Sequence, residues 1–156
     1  MWFDESAARR RRAVGDPLRV LADTNVLIAA VTSREGVSAR VLLAARAGRY
    51  RLVVSPMLLH ELETVLARPK FRRYVSGDDR RRFVAMVREL SEVVADPPAS
   101  AEPITEDPDD DFLVVLAEGA DVDVLISGDR HLTGLNRSGL TVKTPREFLT
   151  DIASAH

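Results

Sequence analysis

The chain has 156 residues, the common size of one domain: enough to bury a single core and too few for two ordinary ones. Hydrophobic residues at 46% and charged residues at 29% fit a globular protein, and no apolar run approaches the ~20 residues that span a bilayer. The lack of cysteine excludes disulfides, thiolate metal sites and a cysteine nucleophile, and a net charge of −2 argues against a simple basic nucleic-acid binder.

In chain order, residues 1–17 (MWFDESAARRRRAVGDP) carry no apolar period. An arginine run follows acidic residues there with no apolar stretch behind it, so the segment reads as a flexible extension without a secretory signal, and the protein is expected in the cytoplasm. One domain is expected over 18–152. Residues 18–22 (LRVLA) form a buried-strand pattern, followed by Asp23-Thr24-Asn25 and an apolar helical stretch over 26–31. Ser38 opens a second helix that stops at Gly48. A second strand at 52–54 leads into Ser55-Pro56, an N-cap with proline in the first helical position, and that helix runs to about Ala67 before Arg68-Pro69 stops it. A helix over 79–90, a strand over 93–95 and a loop over 96–106 with three prolines come next. Asp107-Pro108 starts a helix ending near Gly119, strands are expected at 122–126 and 140–142, and Thr144-Pro145 opens a last helix. Short strands alternating with helices, with no hairpin signal between them, indicate crossovers and a parallel sheet of about five strands covered on both faces, a three-layer α/β/α fold.

Open parallel sheets bind ligands at the carboxyl ends of their strands. Asp23 directly follows the first strand, Glu61 lies in the helix after the second, Asp129 follows the fourth, and Asp110 stands in the first turn of the helix leading into the fourth. Helical phase selects among neighbours. Glu61 lies beside the stripe of Leu58, Leu62 and Val65 whereas Glu63 points away, and Asp110 shares a face with Leu113 and Ala117 whereas Asp111 does not. Asp107 is placed as an N-cap, and Asp109 is an alternative ligand. Four carboxylates from four segments repel one another unless a cation joins them, and an all-oxygen set selects Mg²⁺ or Mn²⁺. Each acid also has a plainer reading: complementing a helix dipole, capping a helix or occupying a turn. Their joint placement at one edge favours the metal site.

Four segments, LADTNVLIAA (21–30), SPMLLHELETVL (55–66) with RPKF (68–71), DPDDDFLVVLA (107–117) and LISGDRHL (125–132), resemble in order and spacing the successive motifs of PIN-domain ribonucleases, in particular the bacterial group of toxin components of toxin–antitoxin pairs. The resemblance covers about 18–150 and implies a PIN-like fold. It implies Asp23, Glu61, Asp110 and Asp129 as the metal-binding quartet, Asn25 and Ser127 as supporting polar residues, and Asp107 or Asp111 assisting. Where this chain has Ser127, such proteins often have threonine. The activity implied is metal-dependent endonucleolytic hydrolysis of RNA, leaving 5′-phosphate and 3′-hydroxyl ends, with an antitoxin and a second copy of the chain as partners and no membrane.

Setting those four charges aside leaves the rest of the chain net positive, which lets a phosphate backbone approach. Arg68, Lys70, Arg72 and Arg73, with the run 80–82, are candidates to receive it, although the same stretch reads equally as a solvated face. Arginine supplies 20 of the 22 basic residues, which suits bidentate phosphate contacts but would also follow from GC-rich coding. His60, His131 and His156 form no metal-binding spacing and are expected on the surface, His60 on the outer side of its helix and His131 in a turn. Two other classes compete with this reading. An aspartate-based phosphatase would need a second aspartate at position 25, which is asparagine, and a non-catalytic PIN-like binding module would not need all four acids.

Overall fold

The computed structural model describes residues 16–98, 103–135 and 139–154. The stretch 1–15, most of the expected extension, lies outside these residues, as does His156; Asp16 and Pro17 are exposed and belong to no helix or strand. Strands β1 (Arg19–Ala22), β2 (Arg51–Val54), β3 (Glu92–Val93), β4 (Val124–Ile126) and β5 (Thr141–Lys143) form one sheet in the order β3-β2-β1-β4-β5. Every pairing is parallel, with Leu21 of the central strand opposite Val53 on one side and Leu125 on the other. Val20, Leu21, Val53, Leu125 and Ile126 are wholly buried, the near-continuous apolar pattern of strands covered on both faces.

Parallel neighbours require crossovers, and helices supply them. These are α1 (Thr24–Thr32), α2 (Val37–Arg46), α3 (Pro56–Leu66), α4 (Gly77–Leu90), α5 (Pro108–Gly119), the short α6 (Arg130–Thr133) and α7 (Pro145–Ser154). Right-handed crossovers put α1 to α4 on one face as the chain moves outward from β1 to β3, and α5 on the other as it returns to β4. Helix α7 packs on α2, where the Tyr50 ring stands edge-on to Phe148 at 4.9 Å and the Tyr50 hydroxyl donates to the Val41 carbonyl at 2.7 Å. The fold is the expected three-layer α/β/α arrangement around a five-stranded parallel sheet.

Local chemistry fixes the element ends, and in several places moves them from the sequence expectation. Helix α4 starts at Gly77 rather than Asp79 because the Ser76 hydroxyl caps it, accepting the Asp79 N–H at 3.1 Å. Strand β3 sits at Glu92–Val93 rather than 93–95, since Arg19 forks onto Glu92 with bonds of 3.1 and 2.9 Å and holds it in register. Strand β4 is shorter at its start, and β5 is displaced by one residue. A 3₁₀ turn at Pro69–Phe71 and helix α6 were not expected, each being too short to show a period. His131 accordingly lies in α6 rather than in a plain turn, while His60 is exposed on α3 as expected.

At the amino ends of the strands, Arg19 links three neighbours. Its backbone N–H donates to Asp123 Oδ2 at 2.8 Å, while its guanidinium bonds the Ala120 carbonyl and Glu92. The opposite, carboxyl ends carry the acids.

Candidate active site

From β1 the chain proceeds outward to β2, and from β4 it proceeds outward the other way to β5, so the carboxyl ends of β1 and β4 flank the point where the winding reverses. In open α/β sheets this crevice binds ligands. Asp23 follows β1 and is fixed there by its own N–H, which donates to the Ile126 carbonyl of β4 at 2.9 Å. As the N-cap of α1 it accepts the Asn25 N–H on Oδ1 at 3.1 Å.

The Ser127 hydroxyl, wholly buried, joins the two strand ends: it donates to Asp23 Oδ2 at 3.0 Å and accepts the Asp129 N–H at 3.0 Å. Asp129 then caps α6, accepting the His131 N–H at 2.8 Å. Asn25 contributes its backbone N–H to this arrangement, and its residue is exposed. Burial raises the Asp23 carboxyl above its ordinary pKa; the Asn25 and Ser127 hydrogen bonds oppose that rise, and the charges of Asp129 and Asp107 add to it.

Asp110, in the first turn of α5, is only 6% exposed, and its Oδ2 is buried without a hydrogen-bond partner. Burial first, then the adjoining Asp129, then Asp107 and Asp23 together push its pKa up to about 6. Glu61, itself exposed on α3, accepts the Thr24 hydroxyl on Oε2 at 3.1 Å. Desolvation of its carboxylate raises its pKa, as do Asp109 and Asp23, whereas Thr24 and Arg68 lower it. Thr24 was missed in the sequence. It is buried, and its place between Asp23 and Asn25 in ADTNVL gives no sign that its hydroxyl faces an acid 37 positions away.

The neighbouring acids divide by role. Asp107 caps α5, accepting the Asp109 N–H at 2.9 Å, while its charge is felt by Asp23 and Asp110. Asp111 turns away from the others to the preceding loop, where it accepts the N–H groups of Ile104 at 3.2 Å and Thr105 at 2.6 Å and the Thr105 hydroxyl at 2.7 Å; these bonds lower its pKa. Beyond α3, Arg68, Lys70, Arg72 and Arg73 are all exposed.

Among the described residues no three carboxylate or imidazole groups are gathered tightly enough to wrap one ion, and standing apart is what mutual repulsion of like charges favours. The donor chemistry nonetheless fits a hard divalent cation. All donors are oxygen, three of the acids resist ionisation, and one buried carboxylate oxygen lacks a donor.

A doubly wound sheet carrying acids at its switch point defines a class of α/β proteins that work at the strand ends. The sequence profile of the PIN domain matches residues 19–131, and the chain belongs to the PIN domain family, a family of nucleases that generally use divalent metal ions. It is 25% identical over 143 residues to the uncharacterized protein MJ1680 of Methanocaldococcus jannaschii, covering 86% of this chain and 91% of that one. The fold matches the crystal structure of PAE2754 from Pyrobaculum aerophilum with a TM-score of 0.62 at 18% identity, over 88% of this chain and 90% of that chain. It also matches VapBC2 from Rickettsia felis, solved bound to a DNA fragment from their promoter, with a TM-score of 0.53 at 12% identity over 81% and 98%.

Proposed function

We propose that this PIN-domain protein is a metal-dependent endoribonuclease and the toxin of a toxin–antitoxin pair. The observation that carries the reading is the Ser127 bridge, which ties the Asp23 carboxylate and the Asp129 backbone together beside the partnerless oxygen of Asp110. In this reading Asp23, Glu61, Asp110 and Asp129 hold Mg²⁺ or Mn²⁺. Such an ion supplies, when bound, a water acidic enough to attack at neutral pH and positive charge opposite the leaving oxygen. The chain's own residues position and tune the acids. Ser127 and the Asn25 N–H orient Asp23, the Thr24 hydroxyl turns Glu61 inward, and Asp107 keeps the negative potential high. Asp110, whose pKa is pushed up to about 6, releases its proton above about that pH. Arg68, Lys70, Arg72 and Arg73 receive the RNA backbone, and Arg68 already acts on Glu61 electrostatically.

The test is cleavage of end-labelled RNA and of the matching DNA strand with Mn²⁺ and with EDTA, mapping the ends produced. Metal-dependent cuts in RNA that leave 5′-phosphates are expected; cleavage that persists in EDTA removes the metal reading. The likeness to the VapBC2 fold motivates the pairing, which a growth assay examines. Expression alone should arrest growth, and a small protein encoded beside it should relieve the arrest. Unimpeded growth with abundant active enzyme would assign it to RNA maturation or decay.

A further inference from the structure

The segment after α3 holds a feature that the acids do not use. Residues 68–75 form a compact turn in which the Phe71 N–H donates to the Arg68 carbonyl at 3.0 Å, and the N–H groups of Tyr74 and Val75 donate to the Phe71 carbonyl at 3.0 and 2.9 Å. Phe71 packs against the core and Val75 is buried, so the turn is anchored at two points. Tyr74 between them is 51% exposed, one of few large apolar side chains left open to water. The Arg73 guanidinium lies 5.3 Å from the Tyr74 ring centre, and the Lys70 ammonium 5.1 Å from that of Phe71. Lys70, Arg72 and Arg73 form no ion pair among the described residues, so their charge is available to a ligand.

An aromatic face on an anchored turn, with the Arg73 guanidinium against it and Lys70 and Arg72 in the same turn forming no ion pair among the described residues, suits a flat group attached to phosphates. We propose that Tyr74 is a nucleobase-stacking platform, with Arg73 against its ring and Arg72 in the same turn, that seats an unpaired nucleotide of the RNA outside the acids. The proposal rests on the endoribonuclease reading for its ligand and adds a subsite to it. Three considerations favour this occupant. Stacking needs no particular base, so one tyrosine serves many sequences. In a duplex both faces of each base are already covered, so the platform selects single strands. The continuity with the acids runs through Arg68, which begins the same turn and acts on Glu61.

The test is binding of fluorescein-labelled oligo(rU) to the full chain in EDTA, where no cleavage intervenes, with a duplex RNA of equal length and an abasic oligonucleotide as controls. Tyr74→Ala should weaken oligo(rU) binding by about 5- to 160-fold. Tyr74→Phe, which keeps the face and loses the hydroxyl, should bind like the wild type, and the abasic strand should not distinguish Tyr74→Ala from the wild type. Since Tyr74 is exposed, unchanged melting temperatures should show that every variant is folded. The proposal is overturned if Tyr74→Ala binds oligo(rU) within twofold of the wild type, if duplex and single strand lose affinity equally, or if the wild type binds neither. Binding that depends on Tyr74 in a protein that cuts no RNA with Mn²⁺ would instead reject the nuclease reading and leave the platform standing.

Discussion

The Ser127 hydroxyl donates its proton to Asp23 and accepts the Asp129 N–H, each at 3.0 Å, so one buried atom ties the Asp23 carboxyl group to the segment that carries Asp129. Ser127→Ala should leave a buried carboxylate oxygen and a backbone N–H with one partner fewer, lowering stability by about 1–3 kcal/mol and cleavage with it. Ser127→Thr keeps the hydroxyl and should restore most of both. Thermal melting and single-turnover cleavage of the three proteins decide this, and an alanine variant as active as the wild type would show that the bridge is dispensable.

Asp23 should separate stability from activity. Asp23→Asn retains shape and removes a charge that Asp129 and Asp107 oppose, so the metal-free fold should be no less stable and cleavage should be lost. Added Mn²⁺ should raise the melting temperature of the wild type by binding the folded state, and that of the variant much less. Wild-type cleavage by Asp23→Asn would refute the carboxylate mechanism.

The acids also set how the metal-free protein responds to pH. Burial and like charges raise the folded-state pKa of Asp23, Glu61 and Asp110, the last to about 6 from an ordinary 3.8. A group whose pKa is higher folded than unfolded contributes stability that is complete below its unfolded value and is lost as pH rises through its folded value. In EDTA the protein should therefore become less stable between about pH 4 and pH 6.5, by at most about 3 kcal/mol for Asp110. Asp110→Asn should flatten that decline. Urea midpoints across this range provide the measurement, and a stability that climbs with pH would contradict the assignment.

Thr24 offers a smaller effect. Thr24→Val keeps the buried volume and removes the donor that holds Glu61 Oε2 at 3.1 Å. Cleavage should fall about 2- to 12-fold, the value of one ordinary hydrogen bond. Metal affinity should weaken alongside it, measured by Mn²⁺ titration of the rate. Loss of fold would show instead that the threonine serves the core.

How much of this could be read in advance follows from the range of each signal. The parallel α/β sheet was legible because its strands are short apolar runs and its helices begin at cap residues such as Ser55 and Asp107, whose chemistry acts within three positions. Asp110 could be placed by helical phase, which its burial matches. Thr24 could not, since its partner comes from another helix, nor could the start of β3, which depends on Arg19 gripping Glu92 from two strands away. Asp111 illustrates the same limit: side by side with Asp110, it serves the Thr105 loop because the helix turns it outward.

The Arg19 clasp joins Glu92, Asp123 and Ala120 at the pole of the sheet remote from the acids. The molecule is thus sewn shut at one end and left charged and under repulsion at the other. Robustness and reactivity are lodged in different residues, so sequence drift or deliberate redesign can strengthen the seam without retuning the chemistry, and the acid end can be rebuilt for another substrate while the seam keeps the chain folded.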